Sequence, residues 1–142
     1  MNKIAISTLG LLLAASPCSA ASLTLGCSGM FTTSHLPKNG MQSEPVKENI
    51  VDFSVVVDLD KMVVTGFWSF DDGTANGLPI VAVSPNNVTF KSRVKRVSEK
   101  SIEGTVDRIT GKVDVEETQL YSTGNLTMLS WDLRCRPTKP LF

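Results

Sequence analysis

Apolar and polar residues alternate one for one along most of the chain, which is the period of a half-buried β-strand. The pattern is clearest between Ser101 and Tyr121. Ile102, Gly104 and Val106 share one face of a first run, and Val113 and Val115 share one face of a second. Asp107-Arg108-Ile109-Thr110-Gly111 lies between them, a short polar connection ending in glycine. That arrangement predicts a hairpin with Gly111 in the left-handed conformation. The same grammar recurs on both sides. Leu23, Leu25 and Cys27 alternate with Thr24 and Gly26, and Phe31 extends their face. Val51, Phe53, Val55, Val57 and Leu59 form the cleanest alternating run, against Asp52, Ser54, Val56 and Asp58. A turn at Asp58–Lys61 predicts a return strand over Met62–Trp68, where Gly66 marks a bulge or a close backbone approach.

Asp71–Gly77 reads as a loop. Leu78–Val83 is apolar but carries Pro79, so an edge strand or a strand start is predicted there. After a turn at Pro85-Asn86-Asn87, Val88, Phe90, Ser92 and Val94 face inward, and Lys91, Arg93 and Lys95 face outward. A hairpin at Ser98-Glu99-Lys100 joins this strand to the next. A turn at Ser122–Asn125 opens the last strand, with Leu129, Trp131, Leu133 and Cys135 on one face. Thr32–Glu48 breaks the pattern. It reads as an irregular connection of about seventeen residues, and connections of that length are functional or mobile. About eight short strands and no helical period predict an all-β domain, a single antiparallel meander forming a small barrel or sandwich.

The first segment belongs to a different class. Lys3 precedes an apolar run from Ile4 to Ala15, and Ser16-Pro17-Cys18-Ser19-Ala20-Ala21 is small and cleavable in character. This predicts a signal peptide over 1–21 and a single β domain over 22–142. The apolar run is shorter than the about 20 residues that cross a bilayer. Lipid attachment at Cys18 or Cys27 is disfavoured by Pro17 before the first and by the polar break before the second.

Removing the signal takes Cys18 with it and leaves Cys27 and Cys135, one near each end of an exported chain. They are expected to form a disulfide. A metal site built from Cys27, Cys135 and His35 would need a fourth ligand and has no recognisable spacing. Acidic and basic residues balance at fourteen each, which argues against nucleic acid as a partner. Asn87-Val88-Thr89 and Asn125-Leu126-Thr127 match glycosylation acceptors but also fit ordinary turn composition.

Candidate binding chemistry is sparse. Asp107 and Arg108 put an acid and a base side by side on a hairpin tip, although an Asp there commonly holds turn amides. Lys91, Arg93 and Lys95, with Arg96 nearby, face Glu103, Asp114 and Glu116 on neighbouring strands, the pattern of a solvated charged face. Phe67, Trp68, Phe70 and Trp131 are core aromatics or the lining of a ligand pocket at a barrel mouth. His35 is the only histidine, and no nucleophile-elbow signature accompanies it. No enzyme, cofactor or metal is expected from this set.

Gly104-Thr105-Val106-Asp107-Arg108-Ile109-Thr110-Gly111-Lys112-Val113, then Leu133-Arg134-Cys135-Arg136-Pro137 and Phe142, resembles a group of small secreted proteins of Gram-negative bacteria. These share a Gly-x-aliphatic-Asp-Arg-x-Thr-Gly hairpin and a late Cys-x-Pro whose cysteine pairs with an early one. The resemblance covers chiefly the last forty or so residues plus Cys27. It implies export and the disulfide, and supplies no catalytic residue. The expectation is a periplasmic or secreted, non-catalytic module that binds a protein or small ligand through Thr32–Glu48 and the neighbouring loop tips. Inhibition of a secreted hydrolase is one version. An envelope-associated structural protein is the alternative, and a hydrolase using Asp107 or another carboxylate is a third.

Overall fold

The computed structural model describes residues 22–67, 77–95 and 98–138. The expected signal segment 1–21, Cys18, Trp68, Phe70, Arg96 and Phe142 lie outside the described residues. Eight strands follow one another as a meander: β1 (Leu23–Leu36), β2 (Val46–Asp58), β3 (Val63–Thr65), β4 (Leu78–Val83), β5 (Asn87–Lys95), β6 (Glu99–Asp107), β7 (Lys112–Leu120) and β8 (Leu126–Pro137). Each pairs antiparallel with the next, and β8 returns to β1, so the sheet closes into a barrel rather than a sandwich.

Closure is fastened covalently. Cys27 and Cys135 are directly opposed across the β1–β8 seam, with their Cα atoms 4.0 Å apart and their sulfurs bonded. Both face the core and are buried. The bond spans 108 residues of sequence, a loop whose closure restricts the unfolded chain by about 4–5 kcal/mol in the chain-entropy account. A buried disulfide of this kind points to an environment outside the cytoplasm.

An eight-stranded barrel has an interior just wide enough to be filled by side chains or to hold one small ligand. The register stacks that interior in rows. Val88, Val106, Val113, Leu133 and Gly29 form one row across β5, β6, β7, β8 and β1. Phe90, Gly104, Val115, Trp131 and Phe31 form the next. Gly104 is required there because a Cβ would collide with the ring of Phe90, which covers it. Phe67 stands at the centre, with its ring 5.6 Å from those of Phe53 and Phe90 and 5.7 Å from that of Trp131.

Further along the axis the rows become polar. Ser92, Ile102, Glu117, Leu129 and Thr33 come next, then Val94, Lys100, Gln119, Thr127 and His35. Outside the barrel the charges pair. Lys91 meets Glu103, Arg93 meets Glu99, and Lys112 lies 2.7 Å from Asp114. Lys91 and Arg93 of the basic stripe are therefore neutralised on the solvent face. Among the described residues no helix is long and apolar enough to cross a membrane.

Four expectations change. Thr32–Glu48 is not one irregular connection. Thr32–Leu36 pairs with β8 as far as Leu36 opposite Leu126, and Val46–Glu48 pairs with Thr33–Phe31. Strand ends that project past the core have no face to bury, so they lack alternation. Val51 is not inward. Cys27 pairs with Phe53 but Gly29 with Ile50, so Val51 and Asp52 together oppose Ser28. This is a bulge, with Asp52 at φ 56°, and it flips the parity of the strand. Ile50 takes the inward place, and Val51 is 74 % exposed. The return strand over Met62–Trp68 is shorter. Met62 sits in the turn at φ 54°, and a Cβ at Gly66 would strike the carbonyl of Ser54, so the chain makes a close approach there. Glu99 and Lys100 belong to β6 rather than to a turn. Of the two readings of Pro79, the strand start holds: it is the second residue of β4, and a closed barrel has no edge strand.

Candidate functional site

The two barrel ends differ. At one end the chain turns at β2–β3, β4–β5 and β6–β7, and both termini of the barrel lie there. The β6–β7 hairpin is built tightly from its own residues. Asp107 Oδ1 accepts the amide protons of Ile109 and Thr110 at 2.8 and 2.9 Å, and the Gly111 amide donates to the Asp107 carbonyl. Gly111 takes φ 71°. A Cβ there would hit the Cys135 carbonyl oxygen, and the Cys135 amide donates to the Gly111 carbonyl at 2.8 Å. The hairpin is thus clamped onto the half-cystine of β8.

The amides of Thr110 and Ile109 hold the Asp107 carboxyl below its ordinary value, and the positive charge of Arg134 adds to this. Asp107 is a turn carboxylate with one oxygen already committed. Arg108 anchors the hairpin to the β4–β5 turn. Its amide donates to the Asn86 carbonyl at 2.7 Å, and its Nη1 donates to the Ser84 carbonyl at 3.2 Å.

Beside this hairpin the barrel interior opens into a cavity of about 750 Å3. Leu23, Leu25, Val57, Leu59, Val88 and Val106 wall it, and Asp107, Arg108 and Arg136 are at its rim. Cavities of roughly 300–1,000 Å3 with apolar walls and a few polar groups are the usual form of small-molecule sites. Ile109, also lining the opening, is 71 % exposed, and Leu23 is 44 % exposed. Apolar side chains standing in water at a concave mouth favour an occupant that covers them.

At the opposite end a shallower crevice of about 440 Å3 runs between the β1–β2 loop and the β7–β8 turn. His35 is here, with its Nδ1 3.0 Å from Thr127 Oγ1. Ser43 donates its hydroxyl proton to the His35 carbonyl, and the Lys38 amide donates to Asn125 Oδ1 at 3.1 Å. These contacts tie the end of β1 and the β1–β2 loop to β8 and the β7–β8 turn.

The structure thus brings Asp107 and Arg108 to one mouth and His35 to the other. Trp131 is buried within the aromatic core. Three features at or near these sites were not anticipated. Leu59 and Arg136 join the hairpin-end opening, a convergence of strand ends that no local motif marks. Glu117 lies inside the barrel, 1 % exposed. Its signal was present, since it continues the inward parity of Val113 and Val115. Among the described residues no group of three or more His, Cys, Asp or Glu side chains is placed to hold a metal. Compared with protein-family models, with curated proteins and with solved structures, the chain matches none.

Proposed function

We propose that the protein is an exported, non-catalytic binding module of the periplasm or the secreted fraction, and that the hairpin-end opening takes a small ligand. The apolar cavity of about 750 Å3 carries this reading. It is large enough for a compact organic molecule, and a disulfide-closed barrel holds its walls rigid. The committed oxygen and depressed pKa of Asp107 support a structural carboxylate over a general base. Binding here rather than at Thr32–Glu48 replaces the loop-tip site with a barrel-end site.

Titration with N-phenyl-1-naphthylamine, a neutral dye that fluoresces in apolar surroundings, tests the reading. Saturable binding is expected. Leu59→Trp, which fills the mouth, should weaken it at least about tenfold, and Ser43→Trp at the opposite crevice should not. Equal effects of the two substitutions, or no binding by the wild type, would remove the site. A second reading, a protein partner such as a secreted hydrolase, draws on Ile109 exposed at the hairpin tip. Ile109→Asp abolishing inhibition of such a hydrolase, with dye binding intact, would select it.

A further inference from the structure

The rim of the opening is not electrically neutral. Arg108 and Arg136 both line it, and the one carboxylate beside them is Asp107. That carboxylate is turned to its own hairpin, with Oδ1 accepting two backbone amides. Arg134 is close enough to act on Asp107 as well. Lys112, opposite Arg134 in the sheet, is answered by Asp114 and Asp132. The arginines at the mouth have no such answer. Arg108 donates from Nη1 to a backbone carbonyl, a neutral acceptor that leaves most of the five guanidinium donors available. Arg136 makes no ion pair among the described residues, and it is exposed.

The wall beneath this rim is apolar. Leu25, Val57, Val88 and Val106 are buried side chains of the core that form the floor of the cavity. A ligand that satisfies both regions has an apolar body and one anionic end. Guanidinium groups bind carboxylate, sulfate and phosphate oxygens through parallel, charge-assisted hydrogen bonds. We infer that the hairpin-end opening binds an anionic amphiphile, with the apolar part inside the barrel and the acidic head between Arg108 and Arg136. This rests on the opening being the ligand site, and goes beyond it by fixing the chemical class and the two residues that select it.

Two dyes with the same apolar body separate the claims. N-phenyl-1-naphthylamine is neutral, and 1-anilinonaphthalene-8-sulfonate adds a sulfonate to that skeleton. The anionic dye should bind at least about tenfold tighter, as a charge-assisted hydrogen bond or two would provide. Its advantage should shrink as salt rises from 0.05 to about 0.5 M, because the rim is exposed to solvent. The Arg108→Gln, Arg136→Gln double variant should lose the preference and bind both dyes alike. Arg108→Lys with Arg136→Lys should restore part of the preference.

Equal binding of the two dyes by the wild type would overturn the inference and leave the site standing. So would a preference that survives the double glutamine variant or ignores salt. Failure of both dyes to bind would overturn the site and the inference together. Dye binding that weakens as protein concentration rises would mean that a second copy of the chain fills the opening, and would also overturn the assignment. Melting of the double variant at the wild-type temperature, with intact disulfide by mass, excludes unfolding as the cause of any loss.

Discussion

The two ends of the barrel are made from the same alternation of side chains and arrive at opposite properties. At the hairpin end the inward positions are valines and leucines, the turns are short, and an apolar cavity opens beneath an arginine rim. At the other end the inward rows carry Glu117, Lys100, Gln119, Thr127 and His35, and the longest described connection covers a crevice crossed by hydrogen bonds to β8 and the β7–β8 turn. Loop length and open apolar volume are therefore separated in this molecule. Long connections are where binding residues often sit. Here it is the tight end, braced by the disulfide and by Gly111 on Cys135, that leaves apolar surface unfilled.

The largest test of this contrast is covalent. Cys135→Ala removes the staple at the hairpin end, and the loss expected is about 4–5 kcal/mol less any relaxation in the folded state. Urea unfolding of the oxidised wild type against the variant measures it. A loss of less than a quarter of that amount would show that the sheet closes without help from the bond.

A pair of glycines sharpens the comparison directly. Gly111 and Gly40 both have positive φ, 71° and 83°. Alanine at Gly40 meets nothing within 4 Å, so only backbone strain of about 1 kcal/mol is expected. Alanine at Gly111 adds a collision with the Cys135 carbonyl, and a total of about 3 kcal/mol is expected. Equal costs in thermal melts would contradict the account of a tightly braced end and a loose one.

Acid should reveal the same bracing on a smaller scale. Asp107 has its pKa lowered from 3.8 chiefly by the Thr110 and Ile109 amides. A depressed carboxyl contributes stability that is present above its unfolded pKa and lost as pH falls through the folded one. Its share therefore disappears below about pH 3.8, alongside those of Asp58 and Glu99, whose values are also lowered. Asp107→Asn should flatten the fall in melting temperature between pH 5 and pH 2. A limb identical in wild type and Asp107→Asn would refute the assignment.

Much of the fold was legible in the sequence because burial on one face writes period 2 directly. The β6–β7 hairpin and the inward faces of β5 and β8 follow from it, while the pairing of Cys27 with Cys135 follows from their being the two cysteines beyond the expected signal. The ends of β1 and β2 were not legible, since Thr32–Leu36 and Val46–Glu48 pair chiefly through backbone groups and bury no continuous face. The Asp52 bulge was hidden because alternation looks unbroken when a valine simply lands outside. Barrel closure itself depends on a seam between first and last strands, which no local window contains.

The candidate site was half visible. Asp107 and Arg108 were singled out from the hairpin, but their use as rim and brace depends on Leu23, Leu59 and Arg136 arriving from distant strand ends. His35 stood out only by being alone, and it bonds to Thr127 at the other end.

The central claim, that the hairpin end is the ligand site, is tested most directly by amide chemical-shift mapping. A 15N-labelled sample titrated with N-phenyl-1-naphthylamine should show shifts concentrated at Leu23–Leu25, Asp107–Gly111 and Cys135–Arg136, with His35–Ser43 and Tyr121–Thr127 unmoved. Shifts concentrated in those last two segments, or none at saturating dye, would contradict it.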